Sequence, residues 1–86
     1  MRIALRAVMQ AHRLHEMEWD DISEPGCYLM IASGLLARVH PEDLSSDRPA
    51  GLKGTGTRVV MLSDNPRLPL GSLRTIAIQG NYRVGF

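Results

Sequence analysis

The sequence is poor in several residue types, and each scarcity excludes something. It holds a single cysteine, Cys27, among 86 residues. An internal disulfide framework is therefore ruled out, and a reducing, cytoplasmic setting is the expectation. Aromatic residues make up only 5% of the chain, so the core must be aliphatic with methionine filling irregular gaps. Net charge is +1, too small for nucleic-acid binding driven by bulk charge alone. No apolar run approaches the roughly 18 residues of a membrane-spanning helix. The opening stretch "MRIALRAVMQAHR" is interrupted by Arg6 and leads to no small-residue cleavage site, so a signal peptide is not expected.

What remains is the composition of one small globular domain, residues 1–86, with 44% hydrophobic and 22% charged residues. A domain of this length leaves much of its surface uncovered, so a partner or a second copy could complete its core. Charge is unevenly placed. Acids gather at Glu16, Glu18, Asp20, Asp21 and Glu24, whereas the second half is rich in arginine. Such polarity can steer a charged partner, or the two halves can face each other within one fold.

Periodicity outlines the elements. Residues 2–16 suit a helix, with Arg2, Arg6, Gln10 and Arg13 on one stripe, although "RIALRAV" also reads as a short strand. Residues 16–26 read as a connector ending in the turn signal Pro25-Gly26, with Trp19 and Ile22 as anchors. "EPGCYLMIASGLLARVHPEDL" reads as a β-hairpin around Ser33-Gly34. A two-residue loop there pairs Cys27 with His40, Tyr28 with Val39 and Leu29 with Arg38. One face then carries Tyr28, Met30, Ala32, Leu35, Ala37 and Val39. The other carries Cys27, Leu29, Ile31, Leu36, Arg38 and His40. Both faces are largely apolar, so both are expected to be covered.

"PEDL" reads as a helical turn with proline at its first position. Residues 45–57 read as a Gly/Ser/Pro loop, "RVVMLS" as a central strand, Ser72 to Gln79 as a helix closed by Gly80-Asn81, and "YRVGF" as a last strand. The sum is an α+β fold, a small antiparallel sheet of three to four strands with a central β-hairpin and two helices.

Candidate chemistry is thin. His12 and His15, three apart, could bring two imidazoles to one metal, with His40 and Cys27 as further ligands. The order is not H-E-x-x-H, so the metalloprotease motif is absent, and neither metal nor cofactor is expected. Cys27 with His40 as its base is the one nucleophile reading, against Cys27 as a small buried hydrophobe. "GLKGTGTR" (51–58) offers backbone N–H groups to an anion but lacks the P-loop ending. Lys53, Arg58, Arg67 and Arg74 could form a basic nucleic-acid face, with few aromatics to stack on bases.

The segments "EPGCY", "SGLLARVH" and "DNPRLPLGSLR" resemble E-P-G-x-Y, T-G-x-L-x-R-V-P and D-x-P-x-x-P-x-x-x-L-R, patterns of short uncharacterised bacterial proteins often encoded on phages and integrating elements. The likeness covers roughly residues 19–86, and the chain departs from it at Ser33, at His40 and in the glycine-rich insert. The resemblance implies a small accessory protein and carries no catalytic residues. Proteins of that size and origin often act by stoichiometric binding, inhibitors of CRISPR effectors among them, an analogy of size rather than of motif. The expectation is a non-enzymatic binding protein, acting on a protein partner or as a homodimer. Its contact residues are Leu29, Ile31, Leu36 and Arg38 on one hairpin face and Glu18, Asp20 and Asp21 in the acidic run.

Overall fold

The apolar run Val59 to Leu62 lies inside a four-stranded antiparallel sheet. The computed structural model describes residues 14–44 and 56–86. In chain order the elements are β1 (Glu16–Glu18), a 3-10 turn (Trp19–Asp21), β2 (Gly26–Met30), β3 (Leu36–Val39), α1 (Pro41–Leu44), β4 (Arg58–Ser63) and α2 (Leu70–Gln79). The sheet order is β1-β4-β2-β3. The expected α+β class is therefore what forms, with β4 and β2 interior. The hairpin is central only through β2, because β3 is an edge strand of the sheet.

Alternation divides the side chains between two cores. Cys27, Leu29, Val60 and Leu62 point to one face and meet Leu73 and Ala77 of α2. Tyr28, Val39 and Val59 point to the other and meet Trp19 and Ile22. Thus both hairpin faces are covered, and the covering groups on each include groups of the chain itself. Every one of these residues is buried, which accounts for continuous apolar runs where a one-sided sheet would alternate.

The hairpin register differs from the expected one by two residues. Cys27 stands opposite Arg38 rather than His40, Tyr28 opposite Ala37, and Leu29 opposite Leu36. The loop runs over residues 31–34, closed by the Gly34 amide on the Met30 carbonyl at 2.8 Å and the Met30 amide on the Leu35 carbonyl at 2.8 Å. Within this loop Gly34 alone takes a positive φ, 75°. A two-residue Ser-Gly turn of the favoured kind would place Ser33 there as well, at steric cost. A slip of two preserves parity, so each side chain keeps the face that alternation assigns it.

Other boundaries move. Leu14 and His15 are not helical and Glu16 opens a strand, while residues 1–13, most of the expected first helix, lie outside the described residues. The expected connector 16–26 contains β1 and the 3-10 turn, with Trp19 and Ile22 buried as anchors. Residues 45–55 of the expected loop also lie outside the described residues. Helix α2 starts at Leu70, two residues earlier than expected, directly after Pro69 at its N-cap.

Residues 82–86 form no strand of the sheet. The chain leaves α2 through a Schellman cap. The Tyr82 amide donates to the Ala77 carbonyl at 2.9 Å and the Asn81 amide to the Ile78 carbonyl at 3.0 Å. Asn81 holds the left-handed conformation, φ 64°, that such a cap demands. The Tyr82 N–H is consumed by the helix end, and the following residues lie against the α2-side core instead of a ladder.

Candidate functional site

Among the described residues, two places gather polar side chains. The first is beneath the link between β4 and α2. Arg38 faces the α2 side of β3, and its Nη1 donates to the carbonyls of Pro66 and Leu68 at 2.8 Å each. The same nitrogen lies 3.6 Å from the Cys27 Sγ, and the thiol in turn donates to the Asn65 carbonyl at 3.3 Å. The link is shaped by its own side chains. The Asn65 amide donates to Ser63 Oγ and the Arg67 amide to Asn65 Oδ1, both at 3.0 Å. These turns aim backbone carbonyls at one cation, a role that suits the multi-donor guanidinium.

Burial pushes the Cys27 thiol above its ordinary range, and the Arg38 charge and hydrogen bonding at the link only partly oppose that. A buried, protonated thiol facing arginine is a poor nucleophile. The expected Cys27–His40 apposition is replaced by Cys27–Arg38. His40 instead directly precedes α1, its amide donating to Asp43 Oδ2 at 2.9 Å.

The second place is an open cleft of about 530 Å³ beside β1. Its lining comes from β1 and the residue before it (His15, Glu16, Met17), the turn after it (Asp21, Ser23, Glu24), β2 (Tyr28) and β4 (Arg58, Met61). Parity explains the apolar part. Met17 pairs with Val59 and Tyr28 with Met61, so Met17, Tyr28 and Met61 share a sheet face. The Tyr28 hydroxyl donates to the Glu24 carbonyl at 2.6 Å and pins the acidic turn over that face. Glu16 pairs with Val60 and so turns its carboxylate to the α2 side of the sheet, where Arg58 lies 3.7 Å away and the Tyr82 hydroxyl donates to it. Asp21 and Glu24 thus stand beside an apolar, methionine-bearing floor, whereas the Glu16 carboxylate is engaged by Arg58 and Tyr82 on the opposite face of the sheet.

The expected contact residues are distributed differently. Leu29 is fully buried between β4 and α2 and belongs to the core rather than to a contact surface. Ile31 and Leu36 are half-buried against the same core, and Arg38 is occupied by the link. Glu18, Asp20 and Asp21 are exposed, and of these Asp21 lines the cleft. Of the basic set, Arg58 lies in the cleft and Arg67 is exposed on the link. The Arg74 Nε donates to the Phe86 carbonyl at 2.8 Å, and Lys53 lies outside the described residues. His15 lines the cleft, His12 lies outside the described residues, and no cluster of three His, Cys, Asp or Glu suited to a metal occurs among the described residues. None of the described helices is long and apolar enough to cross a membrane.

The reading of the sequence missed Met17, Tyr28 and Met61 as neighbours of the acidic run. The signal was the alternation in "HEMEW", hidden because so short a strand resembles a connector. Compared with protein-family models, curated proteins and solved structures, the chain matches none.

Proposed function

We propose that this chain is a non-enzymatic binding protein whose cleft beside β1 holds a positively charged segment of a protein partner. The observation that carries this reading is the combination of acidic rim and methionine floor. Asp21 and Glu24 can receive a lysine or arginine head, while Met17 and Met61 accept its aliphatic stem. Charge complementarity of this kind sets encounter rate and specificity more than affinity, and the floor supplies apolar burial. The setting proposed for it is that of a mobile-element accessory protein, acting by stoichiometric occupation of a larger cytoplasmic partner such as a CRISPR effector.

The test is capture from host lysate with and without nuclease, comparing the native chain with Asp21→Lys/Glu24→Lys. A stoichiometric protein that survives nuclease and is lost on charge reversal is the expected result. Recovery that collapses on nuclease treatment would reject the reading and favour the basic residues Arg58, Arg67 and Arg74 on nucleic acid, and a nuclease-resistant partner that ignores the reversal would reject the cleft as its site.

A further inference from the structure

Residues 82–86 lie against the α2-side core without joining the sheet. Tyr82, Val84 and Phe86 are half-buried against that core, Arg83 is exposed, and Gly85 lies against the hairpin tip. The segment is fastened at points rather than along a ladder. The Gly85 amide donates to the Gly34 carbonyl at 2.7 Å, and the Arg74 guanidinium both donates to the Phe86 carbonyl and lies 5.8 Å from its ring centre. At the hairpin tip the fit is tight. A Cβ on Gly85 would lie 2.9 Å from the Ser33 carbonyl oxygen. The turn that folds the segment back depends on Asn81 at φ 64°, a conformation that disfavours any residue with a Cβ.

We infer that residues 82–86 form an exchangeable strap, and that the groove between hairpin tip and α2 accepts the same strap from a second copy of this chain. Every groove contact is remade identically in the exchanged pair, so only the hinge distinguishes the two states. Opening it gives up the two backbone bonds of the cap to water and releases Asn81 from the left-handed region. These terms are small and opposed, so protein concentration decides between closed monomer and exchanged dimer. The strap meets the cleft lining where the Tyr82 hydroxyl donates to Glu16, a bond the exchanged strap makes again, so loss of self-association leaves the partner-binding reading at Asp21 and Glu24 standing.

Asn81→Pro tests this directly. Proline can neither adopt that φ nor donate the capping N–H, so the strap cannot fold back onto its own groove. Light scattering should report a dimer for Asn81→Pro and a monomer for Asn81→Pro/Gly85→Val, whose added side chain is excluded from either groove. A folded, monomeric Asn81→Pro chain would overturn the inference, as would a dimer that survives Gly85→Val. If Asn81→Pro does not fold, the native chain and Asn81→Gly decide. The native chain should dimerise as concentration rises towards millimolar, and glycine, free to take positive φ, should weaken that dimer about ten-fold. A native chain that stays monomeric throughout, or an Asn81→Gly dimer of unchanged affinity, would overturn it.

Discussion

Arg38 stands directly opposite Cys27 in the β2–β3 ladder, and its guanidinium bridges that buried sulfur to the backbone of the link before α2. The pair joins the hairpin to a segment nearly thirty positions further along the chain. It makes the arginine a structural tie whose removal leaves two carbonyls without their cationic donor.

Arg38→Met should therefore destabilise the fold by about 2 kcal/mol, the scale of hydrogen bonds to a charged group. Chemical denaturation measures it. A change below about 0.5 kcal/mol, the range of an ordinary surface substitution, would show that the link is held by other contacts.

Cys27 gives stability a dependence on alkaline pH. Its folded thiol keeps its proton to higher pH than the unfolded one, because burial opposes the thiolate. The contribution is complete below the unfolded value, about 8.5, and is lost as pH rises from there through the folded value. Denaturation midpoints between neutral and alkaline pH should fall more steeply for the native chain than for Cys27→Ala. Parallel profiles would contradict the burial argument.

Leu29 and Leu36 stand opposite each other but differ in depth. Leu29→Ala should cost about 3 kcal/mol as a core cavity forms, and Leu36→Ala clearly less. Equal costs would mean that Leu36 is as enclosed as its neighbour. Ile78, 62% exposed on α2, should tolerate Ser within about 0.5 kcal/mol.

Gly34 and Gly26 are intolerant for different reasons. Gly34→Ala places a Cβ residue at φ 75° and 2.8 Å from the Gly85 amide nitrogen. A loss of about 2 kcal/mol is expected from the left-handed conformation and the crowding together. Gly26→Ala runs its Cβ into the Ser63 carbonyl oxygen, so β2 and β4 must part or the bulge beside Cys27 must shift. Amide exchange along β4 should accelerate in Gly26→Ala, and an unchanged exchange pattern would refute the close approach.

The sequence by itself determined which side chains share a face. Alternation along Cys27–Met30 and Leu36–Val39 separates the same residues that the two cores separate, because parity survives a slip of two. It also placed β4, the turn at "PEDL", the helix through Leu73 and Ala77, and its closure near Asn81, all set by local periodicity and capping. Tertiary structure decided the rest. The hairpin register turned on which loop residue takes positive φ, a choice between backbone conformations that composition leaves open. β1 exists because β4 offers it a partner some forty positions away, and "EME" alone has too little pattern to announce a strand. The acidic cleft followed from that pairing, since Met17 and Met61 meet only across the sheet. Tyr82 to Phe86 alternate as a strand would, yet the helix cap takes the Tyr82 N–H first, and the alternation is spent on covering a core.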